Sequence, residues 1–158
     1  MDFWQTVFAA GLGAFIATMG KSWLTHIVGV AKLDESLRDY DVGLAKKIIF
    51  ETRDLAVEYW QLEADDEKLP VIDAAVDGRL TFLGQLLERL FAAETLLLRR
   101  INLQLNKFHD AVTDGNFGVS GRTAEPNRAK RIEIESFKLA HETVVCRRKM
   151  PRKFFRIF

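Results

Sequence analysis

Cysteine, proline and histidine are scarce in this chain: one, three and three among 158 residues. The single thiol, Cys146, excludes an intrachain disulfide and any multi-cysteine metal site. Arg147, Arg148 and Lys149 beside it would favour a thiolate, although an incidental small residue on a helix is the simpler reading. Three prolines leave long stretches with no helix breaker. The ten glycines fall mostly near the N-terminus and in one later segment. Strand-like alternation, internal repeats and low-complexity tracts are all missing. Hydrophobic residues make up 48% and charged residues 28%, so the chain is not of the disordered class. It is long enough to bury a core without staples. The expectation is an all-α protein.

Charge is unevenly spread. Residues 128–158 hold ten Lys/Arg against three Glu, a net +7, which leaves about −6 elsewhere in a total of +1. Segments of opposite sign can pair with each other, or one can be offered to a partner.

The N-terminal run from Phe3 to Gly20 holds eighteen residues without a charge, and Ser22–Ala31 continues it past Lys21. A membrane-spanning helix needs roughly 20 apolar residues to cross a ~30 Å hydrocarbon core. The run reaches that length if Lys21 snorkels toward the interface. Trp4 and Trp23 would stand about 28 Å apart on a helix, near the spacing of two interfacial aromatic belts. A secretory signal would begin with basic residues, whereas this chain begins Met1-Asp2. The rival is a buried core helix of a soluble bundle, because Gln5, Thr6, Thr18 and Lys21 dilute the run. The expected organisation is a membrane anchor over 1–33, a helical bundle over 34–150 with a loop at 113–127, and a basic-aromatic tail over 151–158. Lys21 and Lys32 follow the run and Asp2 precedes it, so the positive-inside rule places the bundle in the cytoplasm after a single pass.

Ala9, Gly13 and Ala17 recur every four residues, as do Ala10 and Ala14. Small residues at this spacing let membrane helices approach closely, so self-association is expected. Thr6, Thr18 and Lys21 on the same helix leave room for a ring around an aqueous path.

Asp34-Glu35-Ser36 reads as a helix start. A helix is expected from about 35 to 63 with Leu44, Ile48, Leu55, Tyr59 and Leu62 as its apolar positions. Pro70 separates it from the next. From Val76 through Leu80, Leu83, Leu87, Leu90, Glu94, Leu97, Ile101, Leu105 and Phe108 to Val112, steps of three and four trace a heptad-like seam. A continuous helix over Val71–Val112 would span about 63 Å, long enough to invite a kink. Glycines and polar residues over 113–127 read as a loop. A last helix is expected from Pro126 to about Met150, with Ile134, Phe137, His141 and Val144 on one face.

Candidate chemistry is thin. Glu94 stands in the seam where Leu is expected, which suits a satisfied polar position or a contact between subunits. Glu51, Asp54 and Glu58 share a face, but none of the three histidines has Glu three residues before it, so the Glu-x-x-His pattern of di-iron bundles is missing. Helical ribonucleases of the HEPN type pair Arg and His at short spacing. No Arg lies five to seven residues before His109 or His141, which leaves at most a degenerate relative. Gly118 to Gly121 has neither the spacing of a nucleophile elbow nor the ending of a phosphate loop. No catalytic residue, metal or cofactor is assigned.

The strongest functional signal is the C-terminus, CRRKMPRKFFRIF. Arg147, Arg148, Lys149, Arg152, Lys153 and Arg156 are interleaved with Phe154 and Phe155, a composition suited to anionic lipid headgroups and the membrane interface. Phosphate pairing and base stacking make nucleic acid the rival, and packing of the Phe residues on the bundle the third reading. The expected protein is a non-enzymatic, self-associating helical protein of the membrane, with lipid and a second copy as partners. Its alternatives are a tethered nucleic-acid-binding protein and a soluble interaction module. In architecture such a protein resembles the membrane-anchored helical accessory proteins of RNA-targeting CRISPR systems. That likeness rests on no motif, and implies a membrane-perturbing effector of bacterial antiviral defence.

Overall fold

A computed structural model describes the backbone of residues 3–63, 65–119 and 124–151, and the side chains of that set apart from 3–24, 27, 31 and 126. Among the described residues four helices follow one another: α1 (Phe3–Gln61), α2 (Leu69–Phe91), α3 (Thr95–Thr113) and α4 (Pro126–Lys149). No strand occurs among the described residues. The chain divides into two compact units, Met1–Leu37 with Pro151–Phe158, and Arg38–Met150.

Two helix boundaries differ from expectation. Asp34-Glu35-Ser36 does not begin a helix, because α1 runs through it without interruption. Acids at a helix start are favourable but do not terminate what precedes them, and no proline or strained glycine intervenes. The heptad seam, by contrast, does not form one rod. Helix α2 stops at Phe91, and Glu94 leaves helical geometry at φ −128° and ψ 79° before α3 starts. The Glu94 N–H is bonded to the Phe91 carbonyl, and the Glu94 carbonyl accepts from Leu98 N, so the corner loses few backbone bonds. Folding at this corner lets both halves of the seam bury apolar side chains in one core, Leu83 and Leu87 from α2 and Ile101, Phe108 and Val112 from α3, which a 63 Å rod could not do.

The proline positions match their geometry. Pro70 and Pro126 lie in the first turns of α2 and α4, where the missing N–H costs nothing, and Pro151 follows the end of α4.

In the unit 38–150 the core gathers Ile49, Ala56 and Trp60 from α1, Val76, Leu83, Leu87 and Phe91 from α2, Ile101, Phe108 and Val112 from α3, and Ile132 and Leu139 from α4. The last helix turns a different face inward from the expected one. Ile132, Ser136, Leu139, Thr143 and Cys146 are buried, whereas of the expected face Ile134, Phe137 and His141 are exposed and Val144 is half-buried against the core. Ser136 and Thr143 fit because each hydroxyl bonds a carbonyl of its own helix, Glu133 and Leu139 respectively. Thr52 does the same in α1 with Ile48. In the unit containing residues 1–37, Val30, Leu33 and Leu37 are exposed at helical spacing.

Among the described residues no helix is long and apolar enough to cross a membrane. The side chains of the uncharged run Phe3–Gly20, and with them Ala9, Gly13 and Ala17, lie outside the described residues, as do Arg152, Lys153, Phe154, Phe155 and Arg156.

Candidate lipid- and partner-facing surfaces

One end of the unit 38–150 is locked by a buried tryptophan. Trp60 near the end of α1 donates from Nε1 to the Val112 carbonyl at 2.8 Å, and its own carbonyl accepts from Glu125 N at 3.0 Å. The Arg128 guanidinium lies 4.0 Å from the Trp60 ring centroid and donates from Nε to the Ala111 carbonyl at 3.1 Å. Asp114 and Glu125 complete its neutralisation. Phe117 packs on Tyr59, whose hydroxyl accepts from Gly118 N. These contacts hold the α3–α4 connection against α1, and their burial and mutual satisfaction mark them as structural.

Around this end the surface is acidic. Glu58, Glu63, Asp65, Asp66, Glu67 and Asp77 have no ion-pair partner among the described residues. Two cavities here, of about 1040 and 420 Å³, share Asp65, Asp66 and Glu67 in their linings. Desolvation by burial, with Asp77 adding to it, pushes the Asp73 carboxyl up. Among the described residues no cluster of His, Cys, Asp or Glu could hold a metal ion.

The opposite end carries somewhat more basic than acidic groups, with Glu88 and Glu94 standing among its cations. Arg147 Nε lies 2.9 Å from Asp39, and Arg89 Nη2 lies 3.4 Å from Asp41, so the ends of α4 and α2 meet α1 where the unit begins. The α2–α3 corner follows at once, exposing Ala92, Ala93 and Leu96. Arg100 pairs with Glu142 across α3 and α4. Arg99, Arg148 and Lys149 are exposed and have no acidic partner among the described residues.

The expected site residues are thereby separated. Arg147 is only 12% exposed in its side chain and belongs to an internal ion pair, which removes it from any free basic surface. Arg148 and Lys149 remain available. Glu94 is half-buried at the corner beside this end, not within a continuous seam. Glu51 pairs with Lys47 and with Arg79 of α2, and Asp54 pairs with Arg53. His109 meets Thr113 at the end of α3, with Thr113 Oγ1 at 3.1 Å from Nδ1. Cys146 is buried: desolvation, with the Glu142 carboxylate accepting from its Sγ, pushes the thiol up to about 11. The basic neighbours that would favour a thiolate are outweighed. Glu135 runs the other way. Burial raises its carboxyl, but hydrogen bonds from Lys138 and Gln104 outweigh that and hold it below the usual range.

Missed from the sequence were the Trp60–Arg128 pair and the exposed Leu96–Arg99 corner. A lone Trp at a helix end and a Glu inside a leucine seam were the available signals. Compared with protein-family models, with curated proteins and with solved structures, the chain matches none.

Proposed function

We propose that the protein acts by assembly rather than catalysis, as a single-pass membrane protein whose first helix both anchors it and meets copies of itself. The observation that carries this reading is the exposed apolar stripe Val30, Leu33 and Leu37, which continues, on the same helix, the uncharged run from Phe3 to Gly20. Such a stripe on a monomer invites a partner of like kind. Small residues at Ala9, Gly13 and Ala17 provide for close approach within the bilayer. The bundle then lies on the cytoplasmic side by the positive-inside rule, and the assembled anchors perturb the bilayer.

Membrane fractionation, followed by the mass of the detergent-extracted particle, tests this directly. A discrete detergent-dependent oligomer, reduced to monomer by Gly13→Leu, is the expected result, and ion leakage from reconstituted liposomes should be lost with it. A monomer in the soluble fraction would overturn the reading.

A further inference from the structure

We propose that the basic end of the unit 38–150 is a docking surface for anionic lipid headgroups, with Leu96 entering the interface and Arg99, Arg148 and Lys149 supplying the charge. This rests on the membrane anchorage proposed above and names residues outside the anchor and the tail. The basic end is defined by geometry, since the Arg147–Asp39 and Arg89–Asp41 pairs gather the ends of α4 and α2 at the start of the unit. Residue 38, where the chain enters the unit, and residue 150, where it leaves, both belong to this end. The segments attached there are the α1 sequence containing the uncharged run and the tail holding Arg152, Lys153, Phe154, Phe155 and Arg156.

Two features separate this surface from the rest of the unit. Leu96 is 82% exposed, more than any other large apolar side chain among the described residues, and the exposed Ala92 and Ala93 precede it at the corner. Arg99, Arg148 and Lys149 have no carboxylate partner among the described residues, whereas Arg89, Arg100 and Arg147 are used in ion pairs within the unit, and Glu88 and Glu94 are the acids that also stand at this end. The balance at the far end is acidic: from Asp41 to Trp60 is about 29 Å along α1, and there Glu63, Asp65, Asp66 and Glu67 outnumber Lys68 and Lys130, all without an ion-pair partner among the described residues. An anionic surface therefore attracts one end of the unit and repels the other, so the same charges that bind also orient. Arg148 and Lys149 also favour the C-terminal dipole of α4, but that effect is local and does not account for Arg99 or the bare leucine at the start of α3.

The buried Cys146 allows a direct test, because an introduced cysteine can be labelled selectively. Full-length protein carrying Leu96→Cys or Glu67→Cys, each labelled with a fluorophore, is reconstituted into vesicles of phosphatidylcholine with phosphatidylserine and of phosphatidylcholine alone. A lipid-borne headgroup quencher reports contact, and labelled protein without an added cysteine gives the background. The expected result is strong quenching at position 96 only with phosphatidylserine, and little at position 67 in either vesicle. Neutralising Arg99→Gln, Arg148→Gln and Lys149→Gln should lower the docked-to-free ratio roughly fivefold for each charge removed. Equal quenching at 96 and 67, or equal quenching at 96 in both vesicles, would overturn the inference while leaving the anchor intact. Failure of the unmodified protein to float with vesicles would instead overturn the anchorage beneath it.

Discussion

The guanidinium of Arg128 lies over the indole of Trp60 at 4.0 Å, and the two groups take neighbouring carbonyls of the same helix end, Ala111 and Val112. The contact joins α4 to α1 across the last turn of α3. Arg128→Met keeps the packing but loses the cation and the donor. The expected loss is about 2 to 3 kcal/mol from cation–π attraction and an orphaned carbonyl. Trp60→Phe, which keeps an aromatic face, should cost less through the lost Nε1 bond and the smaller ring. Urea unfolding of both variants checks the order.

Glycine substitutions should divide by backbone conformation. Gly118 has φ +71°, a backbone conformation that L side chains rarely adopt, so Gly118→Ala should destabilise by about 1 to 2 kcal/mol. Gly78, inside α2, has open space where a Cβ would be added, and Gly78→Ala should stabilise by about 1 kcal/mol. Thermal unfolding followed by helical signal would show midpoints moving in opposite directions.

Cys146 predicts an alkaline limit. Its thiol is raised from 9.0 to about 11 in the fold, so between these values the folded chain holds a proton that the unfolded chain has released. Stability is therefore fully present below pH 9 and falls as pH rises toward 11. Unfolding free energies measured across that window should show a slope that Cys146→Ala reduces. Alkylation of the native thiol at neutral pH should be slow and should speed up as denaturant opens the core.

Asp73 gives a second linkage of the same sign at acid pH. Its raised carboxyl favours the protonated form in the fold, so stability declines as pH rises from 3.8 through the folded value. Asp73→Asn should raise the midpoint of unfolding near neutrality and leave it little changed at strongly acid pH.

Much of the helical framework was legible in the sequence because its signals are local. Pro70, Pro126 and Pro151 can occupy only certain positions of a helix, and each stands at the boundary expected of it. Val76, Leu80, Leu83, Leu87 and Leu90 advertise a buried face by spacing alone, and that face is buried. The corner at Glu94 was less legible, since it arises from how two halves of a seam share one core. The inner face of α4 was misread for a related reason. Ser136 and Thr143 do not look apolar, yet their hydroxyls are satisfied within the helix and leave small side chains suited to close packing. The candidate surface was legible in Arg148 and Lys149, while Arg147 beside them is withdrawn by Asp39, a partner far away in sequence.

The burial of Trp60 also sets an order of events during synthesis. Its partners Val112, Phe117, Glu125 and Arg128 are all made more than fifty residues after it. Until the start of α4 leaves the ribosome, the Trp60 indole lacks these partners, however early the first segment reaches its destination. The bundle thus closes late, and a nascent chain halted before Arg128 would display an apolar aromatic surface to whatever chaperone or membrane stands nearby.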